Sequence, residues 1–269
     1  MSSLKELATQ YDIKFVTKWS PPEGEDLRPL IAMPNIPKPL HTVNPRNLLG
    51  ATTWDYMRKA CYHMAHDTCE ICGEKPDNPR RRHGHEVYDI DYEAGTATFK
   101  RVFCICSLDH LACIHTGRAI TLYKQGNPLY PKEFLLEGAE KAFKTIDEYN
   151  KDYPNADLRA YATYLEYLKC DELKEPMEEL IKKYDVKFYM EDPAKMAEWG
   201  DWKLLISNKE YPTPYANEKE WKEAMKKQGE RDTARIMQKN LEEKFSGGIY
   251  DEINNILKEE DGQQSNNKA

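Results

Sequence analysis

The stretch that decides the fold runs from residue 69 to residue 118. It contains Cys69-Glu70-Ile71-Cys72-Gly73, then His83-Gly84-His85-Glu86-Val87, Cys104-Ile105-Cys106-Ser107-Leu108-Asp109-His110 and Cys113-Ile114-His115-Thr116-Gly117-Arg118. Five of the seven cysteines and four of the seven histidines lie within these residues. Thiolates and imidazoles are donors that zinc prefers, so this crowding predicts a metal site with the rest of the chain built around it.

Two pairs of ligands are expected for one structural zinc ion. A Cys-x2-Cys turn presents two thiolates to a single ion, and Cys69 and Cys72 have this spacing. Cys106 and His110 would share one side of a helix that begins there, so the preferred ligand set is Cys69, Cys72, Cys106 and His110. Cys104, Asp109 and Cys113 could each replace a member of the second pair. The competing interpretation is that the cysteines near residue 104 are merely buried at the end of a strand.

A β-hairpin is expected between the two ligand pairs. Residues 87–92 alternate in the manner of a half-buried strand, residues 93–95 form a turn, and residues 96–103 return as a second strand. A helix from about Leu108 would then carry His110 and His115. The predicted order is therefore ligand pair, hairpin, ligand pair and helix.

A short phrase of sequence occurs twice outside this stretch. Leu7 and the run Tyr11-Asp12-Ile13-Lys14-Phe15 match Leu180 and Tyr184-Asp185-Val186-Lys187-Phe188 at the same spacing. The pattern indicates two helix-plus-strand units that could pair with each other. Chance similarity between two common patterns is the competing explanation.

The charge of the chain limits what it can bind. The formal net charge is −7, with an isoelectric point near 5.6, which argues against a protein that coats nucleic acid by bulk attraction. Between residues 80 and 118, six basic residues stand against five acidic ones, a net charge of +1 that permits a local phosphate contact. No run is long and apolar enough for a membrane span, and the start lacks the apolar core of a secretory signal, so a cytoplasmic protein with reduced thiols is expected.

The sequence resembles the HNH endonuclease family (His-Me finger), especially phage-type members with a zinc knuckle. The matching motifs are Asn44-Pro45-Arg46, Trp54-Asp55-Tyr56-Met57-Arg58, Cys69-Glu70-Ile71-Cys72-Gly73, His85-Glu86-Val87-Tyr88-Asp89 and Ile114-His115-Thr116-Gly117-Arg118, so that the resemblance covers about residues 44–120. The chain departs from the family pattern where Gly84 replaces a metal-binding Asp or His and where Asp109 replaces a Cys. Four residues rather than three separate His110 from His115.

The resemblance implies a one-metal cleavage of phosphodiester bonds in DNA. By this analogy, His85 is the general base on water, and His115 helps to hold a divalent ion such as Mg²⁺. Zinc is then a structural scaffold. Arg81, Arg101 and Arg118 would hold the DNA backbone.

The expected fold class is α+β: a mostly helical chain around a zinc-stabilised ββα-metal module. Residues 1–50 are predicted to form a helix, a strand and a docked proline-rich arm, 51–124 the module, 125–260 a helical region and 261–269 a disordered tail. The predicted function is a metal-dependent HNH-type endonuclease. The rival is a catalytically inactive zinc protein, for example a phage inhibitor of host defence, whose helical C-terminal region binds another protein.

Overall fold

The computed structural model describes residues 4–78 and 81–229. The chain divides into two compact units, Met1–Ala216 and Asn217–Ala269. In the second unit, residues 218–229 are helical, and the side chain of Asn217 caps this helix by accepting a hydrogen bond from the Glu220 backbone N–H at 3.1 Å. The predicted disordered tail at 261–269 lies outside the described residues.

The first unit mixes helices and strands, which confirms the expected α+β class. Its α-helices are α1 (Leu4–Gln10), α2 (Pro45–Leu49), α3 (Ala51–Met64), α4 (Thr116–Lys124), α5 (Lys132–Asp152) and α6 (Asp171–Lys183). Its strands are β1 (Ile13–Val16), β2 (Lys18–Trp19), β3 (Arg82–Asp91), β4 (Thr96–Cys106), β5 (Ala160–Tyr161), β6 (Phe188–Glu191), β7 (Lys203–Ile206) and β8 (Lys209–Pro212). A π-helical turn covers Asp109–Ile114, and 3₁₀ helices cover Arg28–Ala32, Lys38–Leu40, Ala162–Lys169 and Trp199–Asp201.

The predicted hairpin is confirmed as the antiparallel pair β3–β4. Its register joins Asp91 to Thr96 at the turn and Arg82 to Cys106 at the open end. Gly95 completes the turn with a φ of +65°, a conformation that glycine adopts without strain. The pair is the centre of a five-stranded sheet with the order β2-β3-β4-β7-β8, in which β4 and β7 are parallel and the other neighbours antiparallel.

The repeated phrase forms two helix-plus-strand units that pair with each other, as expected. β1 lies parallel to β6, with Ile13 opposite Phe188, and β5 joins the other edge of β6 to complete a three-stranded parallel sheet. Asp12 and Asp185 occupy the same place in the two units, between helix and strand, and both have a φ of +47°. The two copies therefore share a backbone conformation as well as a sequence pattern.

The main hydrophobic core surrounds α5. Leu135, Ala139, Ala142 and Phe143 are fully buried on one side of this helix, against the π turn, α6 and the 3₁₀ helix at Arg28–Ala32. The proline-rich arm is docked, as predicted: Leu30, Ile31, Met33 and Leu40 are buried within it. This packing holds the π turn against the end of the hairpin.

The prediction of a helical region over 125–260 needs correction within residues 125–229, and its remainder, 230–260, lies outside the described residues. β5, β6, β7 and β8 all lie in it, and β7 extends the hairpin's sheet while burying Leu204 beside Trp202. β6 belongs to the repeated phrase and was expected, whereas β5 and β8 are too short to be detected by periodicity. β7 forms where the edge of β4 offers backbone partners. Among the described residues, none of the helices is both long and apolar enough to cross a membrane.

Candidate metal centres

Three cysteines and one aspartate form the first cluster. Cys69 and Cys72 lie in the turn that precedes the hairpin, Cys106 ends β4, and Asp109 begins the π turn. The turn closes through a hydrogen bond from the Gly73 N–H to the Cys69 carbonyl at 2.9 Å, and Gly73 has a φ of +72°. This local geometry follows from the Cys-x2-Cys-Gly sequence.

Glu70 fastens this turn to the hairpin. One oxygen of its carboxylate accepts a hydrogen bond from the Cys104 N–H at 2.6 Å, and the other pairs with Arg101 at 2.7 Å. The Glu70 N–H in turn donates to the Cys104 carbonyl at 2.9 Å. The turn that carries Cys69 and Cys72 is thus held against the end of β4 by hydrogen bonds to the backbone of Cys104.

The donor atoms of this first cluster suit a tetrahedral zinc ion. One sulfur or oxygen atom from each of the four residues lies within 4.8 Å of the others. The sulfurs of Cys72 and Cys106 are 4.0 Å apart, and the Cys69 thiol lies 3.2 Å from an Asp109 carboxylate oxygen. Thiolates bound at a Zn–S distance of about 2.3 Å in a tetrahedron stand about 3.8 Å apart, so a small closure would complete the site.

Lys141 of α5 balances the charge of the buried carboxylate. Its ammonium nitrogen lies 2.7 Å from Asp109 Oδ1 and 3.7 Å from the Cys106 sulfur. Burial raises the pKa of Asp109, and Lys141 opposes that shift. Hydrogen bonds from Cys106 and Cys69 lower the pKa of Cys72.

Four histidines form the second cluster. His83 and His85 alternate along β3 and so point to the same face of the hairpin, while His110 lies in the π turn and His115 at the start of α4. The rings of His83 and His110 are stacked, with centroids 4.4 Å apart. His85 lies 5.2 Å from His110 and 4.8 Å from His115, again between ring centroids. Donor nitrogens of three of them, His85, His110 and His115, are close enough together to share one ion.

The histidines of this second cluster are held in the neutral form that binds metals. Burial lowers the pKa of His85 and His110, and the neighbouring imidazoles add to both effects. Burial and then the positive charge of Arg118 lower the pKa of His115 to about 4. His110 Nδ1 is buried and has no hydrogen-bond partner among the described residues, which suits a nitrogen that faces a cation.

The structure brings together most of the predicted zinc ligands but corrects one of them. Cys69, Cys72 and Cys106 meet as expected, and Asp109 rather than His110 is their fourth partner. The reason is that the π turn begins at Asp109, so the next residue points toward the hairpin histidines. The two remaining candidate cysteines lie elsewhere: Cys104 packs with Cys61, and the Cys113 thiol donates to the Gly138 carbonyl at 3.2 Å.

The three arginines predicted to contact DNA lie in different surroundings. Arg118 is exposed on α4 and lies close enough to depress the pKa of His110 and His115. Arg101 is paired with Glu70, and Arg81 is exposed beside the start of β3. Of the three, Arg118 adjoins the histidine cluster.

The sequence pattern alone did not single out His83 and Lys141 as parts of these centres. His83 could have been found from its alternation with His85, because residues two apart in a strand share a face. Asp109 does carry a signal, since the Cys106-x2-Asp109 spacing repeats that of Cys69 and Cys72. Lys141 comes from a distant helix and left no local signal.

Comparison of the chain with models of protein families, with curated proteins and with solved structures finds no match in any of the three. The chemistry of the two clusters therefore carries the functional conclusion. One cluster offers thiolates and a carboxylate, and the other offers imidazoles.

Proposed function

We propose that this chain is a metal-dependent endonuclease of HNH type that hydrolyses phosphodiester bonds in DNA. The observation that carries the proposal is the meeting of His85 from the hairpin with His115 from the following helix, 4.8 Å apart between ring centroids. The order of elements, with a cysteine turn, a hairpin, a second ligand pair and a helix, supports it further. The first cluster, with its three cysteines and Asp109, serves as a zinc scaffold that joins the turn before the hairpin to the end of β4.

His85, His110 and His115 are the residues that would hold the catalytic ion. Three imidazoles favour a first-row transition ion over Mg²⁺, which prefers oxygen ligands. When bound, such an ion would stabilise negative charge on a phosphate and lower the pKa of a bound water. His85 is only 7% exposed, and this burial suits a ligand better than a base that exchanges protons with solvent.

His83 is placed to accept the proton of the attacking water. It lies on the same face of β3 as His85 but is less buried. The Ser107 hydroxyl lies 3.2 Å from the Arg81 carbonyl and 3.1 Å from His83 Nε2, so that with its proton donated to the carbonyl its oxygen accepts a hydrogen bond from His83 Nε2. This arrangement leaves His83 Nδ1 as the atom with a free lone pair.

Arg118 and the start of α4 are suited to hold the phosphate. The guanidinium of Arg118 is exposed, and backbone N–H groups at a helix N-terminus attract anions. α4 has nine residues and begins directly after His115. A phosphate at this end would therefore lie beside the histidine cluster.

Nicking of supercoiled plasmid DNA tests the proposal. The wild type, with Mn²⁺, Co²⁺ or Mg²⁺, is expected to cleave at least about 100-fold faster than His83→Ala, His85→Ala or His115→Ala. His85→Ala and His115→Ala should also lose bound metal, whereas His83→Ala should keep it. Lys151→Ala, at an exposed position on α5, is the control. Equal cleavage by the wild type and His115→Ala would refute the proposal.

A second candidate function is favoured by the same burial of His85. An imidazole that is enclosed by Phe103, His110 and His115 is also what a structural role requires. The chain would then be a catalytically inactive zinc protein that acts by binding another protein. In that case the histidine variants would lose stability but the wild type would not nick DNA with any ion.

A further inference from the structure

A basic pocket lies on the other side of the hairpin from the histidine cluster. It is lined by Lys59, Tyr62, His63, His66, Asp67, Lys75 and Arg82 and has a volume of about 410 Å³. Three of these residues are cationic and one is anionic, so the lining carries a surplus of positive charge although the whole chain carries −7; Lys59 also pairs with Asp55 at 2.6 Å. A local positive site of this kind attracts anions that the rest of the surface repels.

The two faces of β3 separate this basic pocket from the histidines. Arg82 and His83 are neighbours in the strand, so their side chains point in opposite directions. A side chain added at Gly84 would meet the Arg58 Cβ at 2.9 Å, which shows that α3 covers the face on which Arg82 lies. The basic pocket and the histidine cluster are therefore two distinct places at the same end of the hairpin.

Tyr62 holds two guanidinium groups in place at the wall of the basic pocket. Arg82 lies 5.1 Å and Arg58 5.9 Å from the centroid of the Tyr62 ring. Arg82 pairs with Asp67, and Arg58 pairs with Asp55. Guanidinium groups that are already oriented lose little entropy when they bind a phosphate, and their planar donors match its oxygens.

The backbone at the rim of the basic pocket is strained. His66 and Asp67 follow α3 and have φ values of +50° and +63°, which side-chain-bearing residues rarely adopt. A hydrogen bond from the Asp67 N–H to the Tyr62 carbonyl, 2.8 Å long, keeps this conformation. Strain of this kind tends to persist where surrounding structure enforces a functional geometry.

We propose that this basic pocket binds the phosphodiester backbone of DNA, at a position separate from the phosphate beside the histidine cluster. Lys59 and Lys75 reach the nucleic acid from exposed positions, and Arg82 forms the floor. The inference rests on the proposed function, to which it adds a second backbone contact. A DNA strand that contacts both the basic pocket and the phosphate position beside the histidine cluster would pass around the end of the hairpin where β3 begins.

Binding of labelled DNA without added divalent ion tests this inference. The variant is Lys59→Glu/Lys75→Glu, and the control is Lys144→Glu/Lys151→Glu, which removes two exposed lysines of α5 and changes the net charge by the same amount. Fluorescence anisotropy of a short duplex and a short single strand is measured between about 50 and 200 mM NaCl. The pocket variant should bind at least about tenfold more weakly, with a log–log salt slope shallower by about 0.7–0.9 for each lost contact.

Equal affinity and equal salt slope in the two double variants would overturn the inference. Displacement of the DNA by millimolar inorganic phosphate, at matched ionic strength, would also overturn it, because the site would then be one for a small free anion. Failure of the nuclease proposal is distinguishable. A wild type that nicks no DNA but binds it through Lys59 and Lys75 keeps the inference, whereas a nuclease indifferent to both lysines refutes the inference alone.

Discussion

The backbone N–H of His115 donates a hydrogen bond to the carbonyl of His110, five residues earlier, at 3.2 Å. This bond closes the π turn, and the two imidazole rings lie 4.7 Å apart. In an α-helix, residues five apart point about 140° away from each other. The π turn therefore accommodates the extra residue between His110 and His115 and returns both rings to one side.

Two separate metal sites are the first prediction. Titration of the metal-free protein with Co²⁺ should show two equivalents bound, one with thiolate-to-metal absorption and one without. His110→Ala should abolish the equivalent without that absorption, because it removes one of the three imidazoles that would hold the ion. Cys69→Ser should weaken the thiolate site and leave the imidazole site intact.

Asp109→Ala and His110→Ala together test which of these two residues belongs to the thiolate site. If His110→Ala weakened the thiolate signal while Asp109→Ala left it unchanged, His110 would be the zinc ligand and the assignment of Asp109 would be wrong. Metal analysis of the purified protein measures the same stoichiometry independently.

The residues of the first cluster could be predicted from sequence as far as they lie close together in the chain. Cys69 and Cys72 are three residues apart in a tight turn, so their chemistry depends on little beyond that turn. The choice between Asp109 and His110 depends instead on which way the chain turns after β4. A π turn leaves no periodic signature, since its pattern in a short segment looks like that of an α-helix.

The fold was predictable to a similar extent. Alternation in residues 87–92 was enough to place the hairpin, and the repeated Tyr-Asp phrase was enough to pair β1 with β6. The pairing of β4 with β7 joins Thr96 to Lys203, which are far apart in the chain. Pairings of this kind are decided by tertiary packing, which local propensity does not encode.

Stability should fall as the pH drops below about 6.5. In the unfolded chain an imidazole titrates near 6.5, whereas the pKa of His115 in the fold is lowered to about 4. Between these values the unfolded state binds a proton that the folded state does not bind. His115 alone therefore lowers the free energy of unfolding by up to about 1.4 kcal/mol for each pH unit of acidification. His85 and His110 shift in the same direction and add to the slope.

Urea unfolding of the metal-free protein at several pH values between about 7 and 5 measures this slope. His115→Asn, which removes one titrating group, should give a shallower dependence on pH. Parallel curves for the wild type and His115→Asn would show that His115 does not keep a depressed pKa in the fold.

Lys141→Met should destabilise the metal-free protein by about 3 kcal/mol. Asp109 is fully buried, and the Lys141 ammonium group lies 2.7 Å from its carboxylate. Removing the lysine leaves that carboxylate without its cation in a place that water does not reach. Chemical unfolding in the presence of a chelator measures the change.

Lys144→Met is the matched control on the same helix. Lys144 is exposed and lies 3.7 Å from Glu148, so its loss should change the free energy of unfolding by less than about 0.5 kcal/mol. Equal stabilities for the two variants would mean that Lys141 does not compensate the charge of Asp109.

Gly138→Ala should destabilise the protein although alanine is the better helix former. Gly138 lies inside α5, where the change to alanine would by itself stabilise the helix by about 1 kcal/mol. A Cβ at this position would stand 2.3 Å from the Ala112 Cβ and 3.0 Å from its carbonyl carbon, so α5 and the π turn would have to move apart. Overpacking of this kind costs about 1–3 kcal/mol, and a backbone contact puts it at the upper end, for a net loss of about 2 kcal/mol.

Gly200→Ala is the control, because a Cβ there meets nothing within 4 Å. Because the π turn carries His110, Gly138→Ala should also weaken Co²⁺ binding at the imidazole site, and a variant with wild-type stability and metal affinity would show that the two helical segments are not in this close contact.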